Sequence, residues 1–94
     1  MYAAVRHYSG STSLADALVE NECEVKQLIT GIDGFHAYYL IRTTDGETVS
    51  ISVYENEGGA RESNRLAANW VSENLPDLSA SPPQILEGEV AINL

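Results

Sequence analysis

The chain has little positive charge, one cysteine and no long apolar run. Five Lys and Arg stand against fourteen Asp and Glu, a net charge of −9 over 94 residues. Binding nucleic acid by counterion release needs clustered basic side chains, and Arg6, Lys26, Arg42, Arg61 and Arg65 are scattered along the sequence. DNA, RNA and anionic membrane surfaces are therefore not expected partners, and the acidity is assigned to solubility. Cys23 has no second cysteine to pair with. It also lacks the basic environment or histidine neighbour that makes a thiol nucleophilic. No apolar stretch approaches the roughly 20 residues that cross a bilayer. The opening MYAAVRHYSG lacks a basic segment followed by an apolar one, so it does not read as a secretory leader. Together these absences point to the cytoplasm. No His, Cys, Asp or Glu group has metal-ligand spacing. Neither Ser9-Gly10-Ser11 nor Glu57-Gly58-Gly59 matches a phosphate-binding loop. Neither a metal nor a cofactor is expected.

What is present is a pattern of elements. Residues 35–54, FHAYYLIRTTDGETVSISVY, read as two strands around a Thr-Asp-Gly turn. Upstream, about Tyr2–Ser9 reads as a strand, and Ser11, Thr12 or Ser13 can cap a helix from Ser13 to Thr30 that ends at Gly31. Leu14, Leu18, Val25 and Leu28 form the apolar stripe of that helix, interrupted by Asn21. Downstream, a helix spans Glu57 to Asn74, with Ala60, Ala67 and Val71 on its stripe, and Pro76 stops it. A proline-containing connection, Pro76–Pro83, leads to a strand over about Ile85–Ile92. The order β-α-β-β-α-β predicts one α+β domain over residues 1–94. It is a ferredoxin-like split βαβ sandwich with a four-stranded antiparallel sheet and both helices on one face.

Turn length fixes the hairpin register, and a slip of one residue would exchange the faces. A three-residue loop, Thr44-Asp45-Gly46 with Gly46 left-handed, aligns Val49, Ile51 and Val53 with Ile41, Tyr39, Ala37 and Phe35. That coherent apolar set is expected to face the helices, forming one core with Leu14, Leu18, Val25, Leu28, Ala67 and Val71. The opposite face then carries His36, Tyr38, Leu40, Arg42, Ser50, Ser52 and Tyr54. A mixed aromatic surface of this kind is better covered than left in water. A homodimer burying His36, Tyr38, Leu40, Ser50, Ser52 and Tyr54 is expected.

Polar residues on apolar faces mark candidate chemistry, because an unpaired buried polar group costs about 1–3 kcal/mol. Asn21, Ser63 and Asn64 are such residues, and Trp70 lies on the same broad helical face. His7 shares its strand face with Ala3 and Val5. Together Asn21, Ser63, Asn64, Trp70 and His7 are expected to line a pocket between helices and sheet. In the alternative reading, the asparagines bond to backbone and Trp70 fills the core.

The element order, the closing GEVAIN strand and Trp70 on the second helix resemble the dimeric α/β-barrel superfamily. Within it the chain looks most like the antibiotic-biosynthesis-monooxygenase type. That resemblance, over about residues 2–93, implies two split-βαβ subunits packed sheet to sheet. It also implies a pocket lined by Asn, Trp and His, for which Asn64, Trp70 and His7 are the catalytic candidates. Two functions follow. One is a small dimeric domain that binds an aromatic or apolar ligand between helices and sheet. The other is a cofactor-independent monooxygenase, with an asparagine stabilising an oxyanion and His7 taking a proton. The space beneath the helices separates them: a cavity reaching His7 favours the enzyme.

Overall fold

The computed structural model describes residues 1–9, 13–76 and 83–94. Among these the order is β1 (Tyr2–Tyr8), α1 (Ser13–Glu20), α2 (Glu22–Thr30), β2 (Phe35–Arg42), β3 (Thr48–Tyr54), α3 (Glu57–Asn74) and β4 (Gln84–Glu89). One antiparallel sheet runs β2-β3-β1-β4. This is the expected ferredoxin-like arrangement, with the two βαβ halves interleaved and the helices over one face. The expected Ser11 and Thr12 caps and most of the Pro76–Pro83 connection lie outside the described residues.

The expected first helix is divided at Asn21. This residue takes φ −106° and ψ 29°, and its side-chain Nδ2 donates to the Ala17 carbonyl at 2.8 Å. An asparagine that bonds back onto the preceding turn competes with regular helix and bends it. The backbone bonds from Asn21 N to Ala17 O and from Val25 N to Asn21 O persist, so α1 and α2 remain nearly continuous. Gly31 ends α2 with a right-handed φ of −74°. The left-handed glycine is Gly34 (φ +83°), where the chain turns into β2. Asn56 caps α3, its Oδ1 accepting from the Gly59 N–H at 3.2 Å.

The hairpin register is the expected one. Ile41 lies opposite Val49, Tyr39 opposite Ile51 and Ala37 opposite Val53. Gly46 takes φ +86°, and Thr43 N–H bonds to Glu47 O at 2.9 Å across the turn. A bulge between Phe35 and Ala37 moves Phe35 to the other face. There it meets Tyr54 edge-to-face at 5.9 Å.

The two sheet faces are reversed relative to expectation. Along β3 it is Thr48, Ser50, Ser52 and Tyr54 that are buried, while Val49, Ile51 and Val53 are half-buried. On β1, Ala4 and Arg6 face the helices. The core therefore consists of Ala4, Leu14, Leu18, Val25, Ile29, Tyr54, Ala60 and Val71, with Tyr38, Leu40 and Trp70 packed against it. Leu28 and Ala67 are only half-buried. Two features make the hydroxyl-rich face the inner one. Small residues on α3 (Gly59, Ala60 and Ser63) are buried there and let the helix approach the sheet closely. The β3 serines also find an internal partner, the Arg6 guanidinium.

The same reversal overturns the expected interface. Ser50, Ser52 and Tyr54 are buried beneath the helices, and Tyr38 and Leu40 pack on the core. His36 is an exposed residue at 2.6 Å from Glu55. None of the five residues in the covered part of that face is presented to a partner. The open face instead carries a row across all four strands. Tyr39 is opposite Ile51, Ile51 opposite Val5, and Val5 opposite Leu86. Tyr39 is 59% exposed and Leu86 60%.

Candidate functional site

Arg6 lies in the middle of the inner face, between Ser50 on β3 and Ile85 on β4. It is only 2% exposed. Its Nε donates to Ser50 Oγ at 2.9 Å, and its Nη1 donates to Ser63 Oγ at 3.1 Å and Asn64 Oδ1 at 2.8 Å. Its Nη2 donates to Ser52 Oγ. Ser63 passes its own hydrogen to the Ala60 carbonyl at 2.6 Å, and Asn64 Nδ2 donates to Glu87 at 3.0 Å. Among the described residues, no buried side-chain nitrogen or oxygen lacks a partner. Polar residues on the inner faces of β1, β3 and α3 thus form one connected network, the condition under which buried polar groups are tolerated.

Three tyrosines surround this network. Burial raises the phenol pKa of Tyr8 and of Tyr38, and in each case the Arg6 charge opposes the shift. Burial pushes Tyr54 up to about 12, again against the pull of Arg6. The Tyr54 hydroxyl donates to the Ile29 carbonyl at 2.8 Å, tying the sheet to the end of α2. These phenols are neutral at physiological pH, so they supply Arg6 with no negative charge.

Beside the network, between α1, α2 and β2, lies a cleft of about 520 Å³. Leu18, Val25, Ile29, Phe35, Tyr38 and Leu40 form its apolar walls, and Lys26, Arg42 and Glu22 are among its polar lining. Arg42 is held by Asp16 at 2.9 Å. A chamber of about 20 Å³ shares Leu18, Val25, Ile29 and Tyr38 with the cleft and is closed by Arg6, Tyr8, Ser50 and Trp70 among others. It has room for about one water molecule.

Of the five expected pocket residues, Ser63, Asn64 and Trp70 converge beneath the helices, the first two on Arg6 and the third on the chamber. Asn21 does not join them, because its amide is spent on the helix bend. His7 also lies apart. It alternates with Arg6, so it points from the opposite face of the sheet, where Nε2 is 2.6 Å from Glu47. The expected His7, Asn64 and Trp70 constellation is therefore not assembled within one chain. The expected Asn64 function as an oxyanion donor also meets competition, since both ends of its amide are engaged. Among the described residues there is no group of His, Cys, Asp and Glu able to hold a metal, and no helix is long and apolar enough to cross a membrane. Arg6 is the residue that sequence reasoning missed. Its signal was present in the alternation Ala4, Arg6, Tyr8, which places a cation in line with the serines of β3 once the faces are assigned correctly.

No protein-family model matches the sequence, and no curated protein does either. Solved structures do match. A Nitrosomonas europaea protein of unknown function aligns over 99% of this chain and 91% of its own, with TM-score 0.74 and 18% identity. The ActVA-Orf6 monooxygenase of Streptomyces coelicolor, in complex with nanaomycin D, aligns over 99% and 89%, with TM-score 0.72 and 21% identity. The haem degrader MhuD of Mycobacterium tuberculosis, with two haems bound in its active site, aligns over 100% and 99%, with TM-score 0.64 and 14% identity. The likeness establishes the fold: the chain shares the ferredoxin-like α+β architecture of these structures.

Proposed function

We propose that the protein is a small-molecule binding domain that takes an aromatic or apolar ligand into the cleft between α1, α2 and β2. The observation that carries this is the cleft itself, about 520 Å³ and walled by Leu18, Val25, Ile29, Phe35, Tyr38 and Leu40. Its size falls within the range of small-molecule sites, and so does its combination of apolar walls with a few polar groups. Two structural neighbours are described with ligands, nanaomycin D and haem, which supports the choice of a flat, largely apolar molecule. The cofactor-independent monooxygenase reading has less support, because its proton acceptor, His7, lies on the other face of the sheet.

Titration with 2-naphthamide, a neutral bicyclic probe, tests the binding reading. The amide resonances of Val25, Ile29, Phe35 and Leu40 should shift together and saturably. Leu40→Trp fills the cleft and should weaken the effect at least about tenfold, a loss of ~1.4 kcal/mol. Shifts confined to the outer sheet face, or none at all, would rule the cleft out.

The same fold supports a homodimer, formed through the open sheet face. Tyr39, Ile51, Val5 and Leu86 give that face a continuous apolar row. Such a row is a liability on an isolated domain, and pairing it with its own copy about a two-fold axis covers both at once. This replaces the interface expected from sequence.

A further inference from the structure

We propose that the cleft selects ligands carrying an anionic oxygen, either a carboxylate or an ionised phenol or enol, and that Arg6 is the group that reads it. The proposal rests on the binding reading above and adds the charge of the ligand.

The first observation is an imbalance of charge in the interior. Arg6 is 2% exposed, yet its four hydrogen-bond partners are three serine hydroxyls and an amide oxygen. Dipoles satisfy the geometry of a guanidinium without cancelling its charge, and a buried charge with no counter-ion is costly. The nearest carboxylate in the network, Glu87, is held off by the intervening Asn64 amide. The surrounding phenols stay neutral. An incoming anion would complete this arrangement. Nη2 makes one hydrogen bond among the described residues, and a guanidinium Nη carries two hydrogens, so one donor is left for it.

The second observation is where the positive charge lies. The chain carries −9 overall, with five Lys and Arg in total. Three of those five, Arg6, Lys26 and Arg42, line the cleft and its inner chamber. Glu22 shares the cleft lining with Lys26, and Asp16 holds Arg42. Among the described residues Arg6 is therefore the buried cation of this group without a carboxylate on it. Such a charge attracts anions locally. The third observation is shape. The water-sized chamber beside Arg6 has room for a single anionic oxygen, and the larger cleft takes an aromatic body. The four side chains common to both, Tyr38 among them, separate the two spaces, and a ligand in the cleft would displace them to reach Arg6.

The test compares 2-naphthoate with its neutral isostere 2-naphthamide by isothermal titration at neutral pH and low salt. Wild-type protein should prefer the carboxylate by at least about tenfold. Arg6→Met should abolish that preference while 2-naphthamide still binds. Lys26→Gln removes an exposed charge at the cleft and should leave most of the preference in place. Should Arg6→Met fail to fold, the wild-type, Lys26→Gln and Arg42→Gln ratios decide the matter. A preference retained in Lys26→Gln and in Arg42→Gln, which removes the other cleft cation, supports Arg6. Equal affinities in wild type, or a preference lost in either of these two variants, overturn the proposal and leave the cleft reading intact. If neither compound binds, the cleft reading itself fails and this proposal with it.

Discussion

Ile51→Glu should convert a particle of two chains into a folded particle of one. Ile51 stands in the central row of the open sheet face, flanked by Tyr39 on β2 and Val5 on β1, with Leu86 beyond. A stable interface needs about 800 Å² from each partner, and a four-stranded sheet offers that only if its centre is apolar. A carboxylate at that centre would lose its hydration on association, a cost of several kcal/mol when it is left unpaired. A two-fold axis near this row would also bring two such carboxylates together, and like charges in an interface cost several kcal/mol. The folded chain tolerates the change, because the side chain points away from the helices. Light scattering should give wild type twice the mass of one chain and Ile51→Glu the mass of a single chain. Far-ultraviolet circular dichroism should be unchanged. A monomeric wild type would overturn the dimer, and a variant that stays dimeric would move the interface elsewhere.

The adjacent glycines of α3 should respond with opposite signs. A Cβ at Gly59 would lie 2.9 Å from Tyr54 Cβ and 3.0 Å from its Cγ and Cδ1. Tyr54 cannot yield. It is fully buried, tied to the Ile29 carbonyl at 2.8 Å and stacked edge-to-face on Phe35. Replacing Gly by Ala inside a helix gains about 1 kcal/mol of propensity. Overpacking a rigid core costs about 1–3 kcal/mol, and here the contact is with the least movable part of the ring. Gly59→Ala should therefore lower stability by about 1–2 kcal/mol net. It should also loosen Ser63 and Asn64 one turn on. At Gly58 the added Cβ meets only Asn56 Oδ1, the end of a side chain, at 3.3 Å. Gly58→Ala should be neutral or stabilising by up to about 1 kcal/mol. Urea midpoints of the two variants report the signs, and a stabilised Gly59→Ala would show that α3 rides higher over the sheet.

The architecture was legible because its signals are local. The Thr-Asp-Gly turn fixed the hairpin register, and Glu57–Asn74 emerged with the boundaries its composition implied. The faces were not legible, because alternation tells which residues share a face but not which face meets the helices. Val49, Ile51 and Val53 are the more apolar set and so read as core. They lie outward because the inner serines serve a buried arginine, a long-range fact that no local window contains. The bulge at Phe35 and the bend at Asn21 were missed for a related reason: each is a one-residue departure from a regular period. Ser63, Asn64 and Trp70 could be singled out because polar or aromatic residues on a helical stripe are visible in the sequence, and the fold places them by Arg6 and its chamber. Arg6 was missed because a single arginine in a strand resembles a solvated one until its partners, 44 to 58 positions away, are known.

The most direct test of the account is a crystal of the protein soaked with 2-naphthoate. The ring should lie between α2 and β2, against Phe35 and Leu40. Its carboxylate should approach the Arg6 guanidinium at about 2.7–2.9 Å, the length of a charge-assisted hydrogen bond. A naphthoate seated on the Tyr39, Ile51 and Val5 face, or one in the cleft with its carboxylate turned out to solvent, would contradict it.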